Sequence, residues 1–287
     1  MLIRRLAAGV IVDAPAKLNL FFEVLGRRDD GYHEIETLMV PIDLFDSLRF
    51  EENSSGQITF ECWDRRATVG PNASGTGVES LPVDDRNLAV RAVDLIRRRE
   101  GVRHGATLRL VKRIPIAAGL GGGSSDAAAA LVAANKVWRL GLRRQELEEL
   151  AAELGSDVPF FLHGGPAVCR GRGERIEPVT AAAGAMAFVV VCPPDGLSTA
   201  AVYRDCCIAE SPRRIDPVLR IVEEGDWTNL GRLLFNRLQP TARVLNTWIS
   251  KLEDALGQED CLGHLMSGSG TCYFGLCRHM RHARRMA

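Results

Sequence analysis

The sequence predicts a chain of mixed strands and helices, long enough at 287 residues for one large domain or two small ones. Three observations carry this. Residues 10–25 and 106–112 alternate their side chains as strands do. Residues 114–138 read as a glycine-rich loop running straight into an alanine-rich helix. From about residue 181 the pattern of strands and helices starts again.

Taken in order, the first strand is 10–25. Its alternation puts Lys17, Asn19, Phe21 and Glu23 on one face. Lys17 is then either a solvated edge residue or a positioned one, since it stands between Ala16 and Leu18 in an apolar stretch. GRRDDG at 26–31 is a turn by composition, and 32–40 and 43–51 are two further strands. Tyr32 and His33 stand just past the turn, where ligand contacts often lie, although a histidine there also serves as a plain structural hydrogen-bonder. Residues 62–82, rich in glycine and polar residues, read as a mobile surface loop or insertion. Residues 85–99 have helical spacing.

The loop that follows holds Gly119, Gly121, Gly122 and Gly123 around Leu120, then Ser124, Ser125 and Asp126. Glycine lets the backbone approach a ligand closely. A helix N-terminus adds unpaired N–H donors and partial positive charge, so the two together suit phosphate. Ser124 or Ser125 is suited to cap the helix and Gly141 to end it. No GK[ST] closes the loop, so it is not a Walker A loop, and its glycine spacing fits a Rossmann turn poorly. A second helix covers 143–154. Asp157 then lies in a tight connection between Gly155 and Pro159, as a turn-former, a cap or a reactive carboxylate. Beyond it the chain reads as a buried strand at 186–192 and helices at 198–203, 216–224 and 227–234. A loop and one helix follow within 236–256, then strand–turn–strand at 264–276 and a short basic helix.

Bulk properties narrow the function. Lysine plus arginine and aspartate plus glutamate both total 36, which argues against a nucleic-acid or membrane-surface binder. No apolar run approaches a membrane span, and the first residues turn polar too soon for a signal peptide. The eight cysteines include no CxxC pair, so they read as thiols of a reducing compartment, the cytoplasm, and not as a disulfide frame or zinc site.

Three stretches occur together in order: PAKLNL at 15–20, IPIAAGLGGGSSDAAAAL at 114–131 and MSGSGTCYFG at 266–275. With them the chain resembles the GHMP kinases nearly end to end. DGYHEIET at 30–37 and LGSDVPFF at 154–161 make it most similar to the branch acting on a cytidine-diphosphate-linked methylerythritol. The resemblance implies an α+β fold of two lobes, an N-terminal one like ribosomal protein S5 domain 2 and a ferredoxin-like C-terminal one, with the active site in the cleft between them. It implies an ATP-binding domain over 1–170 and a substrate-side domain over 171–287. It also implies ATP with Mg²⁺, small-molecule substrates, and no nucleic-acid, membrane or stable protein partner.

Site roles follow from the same resemblance. Asp157 would be the general base, and Lys17 would hold the acceptor hydroxyl and the transferred phosphate. Asn19 would orient the substrate. His33 would bond the cytosine edge, with Tyr32 and Tyr203 on its two faces. Gly268, Ser269 and Gly270 would touch substrate. Pro115, Ala117, Ala118, Gly119, Leu120, Gly121, Gly122, Gly123, Ser124 and Ser125 would cradle ATP, and Ser125 would touch Mg²⁺. Asp126 reads instead as a first-turn acid favoured by the helix dipole. Mevalonate- or homoserine-type kinases, and a non-catalytic nucleotide binder, are the alternatives. Three features depart from the resemblance: the long 62–82 segment, Arg237 where an acid is common, and the short stretch after the third motif.

Overall fold

A computed structural model describes residues 1–64, 82 and 84–287. The chain forms two compact units that are interleaved in sequence. One takes Met1–Ala16, Ile42–Pro115 and Gly121–Gly164, and the other Lys17–Pro41, Ile116–Leu120 and Gly165–Ala287, as far as these are described.

In the first unit β1 (Leu2–Leu6) folds back on the start of β2 (Gly9–Arg27), with Leu2 opposite Asp13. The second half of β3 (His33–Asn53) pairs antiparallel with β5 (Gly105–Lys112), Ser47 opposite Val111. β4 (Ile58–Asp64) runs parallel to β5. Helices α1 (Leu88–Arg99), α2 (Gly122–Val137) and α3 (Arg144–Leu154) pack on one another. Buried alanines at 127–130, 133 and 134 let neighbouring elements come close to α2, and α1 answers with Ala89 and Ala92.

Several boundaries differ from the sequence expectation, each for a local reason. The strands expected at 32–40 and 43–51 are one continuous strand, because Pro41 does not break it. α1 begins three residues late, since Asn87 Oδ1 accepts the Ala89 N–H at 2.9 Å and fixes the cap there. α2 begins at Gly122, with Gly121 at the cap in a left-handed conformation (φ +70°), so Ser124 and Ser125 lie inside the first turn and cap nothing. β4 claims residues up to Asp64 of the expected loop, and the rest of 62–82 lies outside the described residues apart from Pro82.

In the second unit the remainder of β2 carries β9 (Phe235–Asn236) in parallel, Phe21 opposite Phe235. The first half of β3 pairs with β6 (Ala167–Gly171), which pairs with β7 (Arg175–Pro178). A separate antiparallel sheet has the order β10 (Gly263–Met266), β11 (Tyr273–Cys277), β8 (Ala187–Val191). The helices are α4 (Thr199–Arg204), α5 (Asp216–Glu224), α6 (Trp227–Leu233), α7 (Gln239–Leu245), α8 (Thr247–Gly257) and α9 (Met280–Met286). Phe22, Val202, Leu238, Ile249, Met266 and Tyr273 join one core.

Two expectations fail in this unit. The single helix expected before residue 256 is two, because Asn246 ends α7 and caps α8 through the Trp248 N–H at 2.8 Å. The cysteines are not all thiols: Cys192 and Cys272 form a disulfide, Cα atoms 4.2 Å apart. They directly follow β8 and directly precede β11, so the antiparallel register faces one with the other. Spacing in the sequence could not show this pairing, since 80 residues separate them.

Candidate active site

In the second unit, β2 delivers Lys17 and Asn19 to one face, as the alternation predicts. Both are buried, at 3% and 0% exposed. A buried ammonium must have polar company, and here Lys17 Nζ donates to Asn19 Oδ1 at 2.5 Å. Asn19 Nδ2 donates on to Thr37 Oγ1 at 2.8 Å, and Thr37 donates to the Phe21 carbonyl at 2.6 Å. The chain of bonds fixes the amide and, through it, the lysine.

Two loops close on this pair from within the same unit. The Lys17 N–H donates to the Leu120 carbonyl at 3.0 Å, Ser267 Oγ to the Gly119 carbonyl at 2.9 Å, and the Cys272 N–H to the Ala118 carbonyl at 3.0 Å. The glycine-rich loop and the third motif are therefore stitched together. Asn236 Nδ2 holds the second loop through the Met266 and Gly268 carbonyls, each at 2.8 Å. Gly268 has φ +56°, and a Cβ there would stand 3.2 Å from Lys17 Nζ. Glycine is required both for the turn and for the room the ammonium needs. Ser269 Oγ bonds Thr199 Oγ1 at 2.8 Å, and Gly270 N–H donates to the Ser267 carbonyl.

The glycine-rich loop has the backbone of an anion cradle. Ala117 (φ +50°), Gly119 (φ +76°) and Gly121 (φ +70°) are left-handed at alternate positions. Such alternation turns successive N–H groups toward one side. A left-handed alanine costs free energy and persists only where its surroundings hold it. The loop's first half, up to Leu120, belongs to the second unit and its last half, from Gly121, to the first.

Tyr32, His33 and Tyr203 also share the second unit. The rings of His33 and Tyr203 lie 5.1 Å apart, and Tyr203 meets Phe22 edge-on at 6.4 Å. Burial, helped by Arg27, pushes the His33 imidazole below its ordinary pKa, so it is neutral at pH 7. Its shielded Nε2 has no partner among the described residues. A neutral imidazole with an unpaired nitrogen suits the edge of a base. Tyr32 stands 52% exposed.

Asp157 belongs to the first unit, half-buried in the turn after α3 and just before a one-turn 3₁₀ helix over Pro159–Leu162. In the same unit, the start of α2 holds a feature that sequence reasoning missed. Lys112, 1% exposed, donates to Asp46 Oδ2 at 2.5 Å and to Asp126 Oδ2 at 2.6 Å. Asp46 Oδ1 also accepts the N–H groups of Arg113 and Ile114, at 2.5 and 2.9 Å. One ammonium balances one carboxylate, and the surplus falls on Asp126. Its carboxyl is pushed up to about 7, chiefly by burial, against the pull of Lys112 and with repulsion from Asp46. Asp126 is therefore no first-turn acid serving the helix dipole; it lies in the second turn and binds Lys112. The missed signal was parity. Lys112 shares its strand face with Ala106, Leu108 and Leu110, and Asp46 shares its own with Leu48 and Phe50, all buried.

Ser125 Oγ is buried and has no hydrogen-bond partner among the described residues. An orphaned hydroxyl in the first helical turn fits a hard cation that comes with phosphate. Asp126 Oδ2 is already engaged by Lys112. Among the described residues there is no cluster of three or more histidine, cysteine, aspartate or glutamate side chains able to hold a metal, and no helix long and apolar enough to cross a membrane. Arg237 is explained: it makes a two-pronged pair with Glu23, 0% exposed, at 2.7 and 2.8 Å.

Residues 87–165 match the model of the GHMP kinases N terminal domain, and residues 218–287 that of the GHMP kinases C terminal domain. A 4-diphosphocytidyl-2-C-methyl-D-erythritol kinase of Pelotomaculum thermopropionicum is 43% identical over 276 residues, 96% of this chain and 91% of its own. One of Enterococcus faecalis is 38% identical over 96% of this chain and 93% of its own. A solved 4-(cytidine 5'-diphospho)-2C-methyl-D-erythritol kinase superposes with a TM-score of 0.76 at 35% identity, covering 96% of this chain and 93% of its own. A homoserine kinase from Cytophaga hutchinsonii superposes with a TM-score of 0.74 at 18% identity, over 100% of this chain and 90% of its own, a likeness of fold alone.

Proposed function

We propose the function from one premise: the chain belongs to the 4-diphosphocytidyl-2-C-methyl-D-erythritol kinases, a family of GHMP kinases with their α+β fold. It is an ATP-dependent kinase of the non-mevalonate isoprenoid pathway, and it phosphorylates the 2-hydroxyl of the methylerythritol moiety. The observation that carries the reading is the buried Lys17–Asn19–Thr37 relay beneath two glycine loops stitched together through Gly119 and Ser267.

The chemistry follows from charge. Asp157 takes the proton of the acceptor hydroxyl, whose oxygen then bonds to the γ-phosphorus as the bond to ADP breaks. Lys17 stabilises negative charge on the transferred group, and Asn19 orients the hydroxyl. Residues 115 and 117–125 cradle the triphosphate with backbone N–H groups. Ser125, whose buried hydroxyl is otherwise unpaired among the described residues, would be the protein contact for Mg²⁺, which would supply neutralisation of phosphate charge. Gly268, Ser269 and Gly270 line the acceptor. Tyr32 and Tyr203 take the faces of the cytosine and His33 its edge, and stacking contributes about 1–3 kcal/mol per base.

In this reading the ATP contacts fall within 1–170, and the acceptor contacts are divided between 1–170 and 171–287. ATP supply places the reaction in the cytoplasm, and no nucleic acid, membrane or protein partner is needed. The test is ATP consumption against a panel of acceptor alcohols. Turnover is expected with the cytidine-diphosphate-linked methylerythritol alone. Equal turnover of mevalonate or homoserine would contradict the substrate assignment.

A further inference from the structure

An aromatic ring on an exposed turn has little core packing to hold it. Tyr32 is such a ring, in the link between β2 and β3, where the Arg28 N–H donates to the Tyr32 carbonyl and the Gly31 N–H to the Arg28 carbonyl. Stacking on a base nevertheless needs the ring held in one orientation, because ordering it at binding costs conformational entropy.

The structure supplies a holder. The guanidinium carbon of Arg172 lies 4.9 Å from the centroid of the Tyr32 ring. The placement follows from the sheet. Ile35 at the start of β3 pairs with Gly171 at the end of β6, so the residue after β6 emerges beside the residues before β3. Gly171 has φ +75° and turns the chain there. The Arg172 N–H donates to Glu174 Oε2 at 2.6 Å, and Arg172 Nε lies 3.9 Å from the same oxygen. The arginine is thus steadied by its own turn, and its side chain is only 29% exposed. A guanidinium over a tyrosine face is attracted by the ring's quadrupole. It occupies one face and leaves stacking to the other.

We propose that Arg172 is a positioning residue for the acceptor substrate: it holds one face of Tyr32 and so presents the opposite face to the base. The proposal rests on the reading of Tyr32 as a stacking residue. Arg172 acts on the base through the tyrosine ring, so its influence disappears when the ring is absent. A methionine keeps much of its bulk without the cation, and a lysine keeps the cation without the planar fork.

The test is a double-mutant cycle read as KM for the cytidine-bearing substrate, KM for ATP and kcat. Arg172→Met should raise the first about 2–5-fold, the size of an exposed cation–π contact, and leave the other two unchanged. Arg172→Lys should keep most of the wild-type value. In a Tyr32→Ala background, Arg172→Met should add nothing. An equal rise in that background overturns the proposal while leaving Tyr32 as the stacking residue, and so does an Arg172→Met variant with wild-type KM. If Tyr32→Ala itself leaves that KM unchanged, the stacking reading fails and the proposal with it. A purely structural arginine would lower the active fraction, and hence apparent kcat, without separating the two KM values.

Discussion

Among the described residues two lysines are buried, and their surroundings differ in kind. Lys112 is held between Asp46 and Asp126, two carboxylates at 2.5 and 2.6 Å. Lys17 bonds a neutral amide at 2.5 Å and looks onto a glycine whose missing side chain leaves it space. An ammonium tied to two carboxylates has its charge spent inside the protein and serves the framework. Lys17 is instead oriented by an amide two residues along its own strand, beside the room that Gly268 leaves. Burial alone therefore does not mark a catalytic lysine; the room left beside it for a ligand has to be read as well.

The comparison can be sharpened in three steps. The largest effect is expected at Asp157, the proposed base. Asp157→Asn should lower kcat by about 10²–10⁴ while calorimetry still finds ATP bound; wild-type turnover would remove Asp157 from the chemistry.

The second step concerns pH and the other lysine. The Asp126 carboxyl is raised in the fold to about 7 from an ordinary 3.8. The neutral form is therefore favoured by folding. That stabilisation is fully present below the ordinary value and is lost as pH rises through 7. Asp126→Asn removes the dependence. Its melting temperature relative to wild type should rise between about pH 5 and about pH 8. A constant offset across that range would mean that Asp126 carries no surplus charge.

How much of this was legible in the sequence depends on what fixed each feature. Alternation along β2 put Lys17 and Asn19 on one face because a strand's period is rigid. The three motifs placed the loops because their glycines answer to backbone conformation, as Gly119 and Gly268 do. The Lys112 cluster went unread because its members are far apart in sequence, although the parity of Lys112 and of Asp46 marked each for a buried face. Arg237 looked like a defect until Glu23, 214 residues away, appeared as its partner. The Cys192–Cys272 disulfide needed the register of β8 and β11. Arg172 needed the register of β3 and β6. Local patterns show where a side chain points, but its partner comes from strand pairing, which the sequence does not display.

The most direct measurement sets Lys17→Met beside Lys112→Met and reads kcat per mole of folded enzyme together with unfolding free energy. Lys17→Met should cost roughly 10²–10³ in kcat. Lys112→Met should cost about 3–5 kcal/mol of stability and leave kcat of the folded fraction unchanged. The reverse pattern, or equal losses of kcat in both variants, would contradict the division of the two lysines into chemistry and framework.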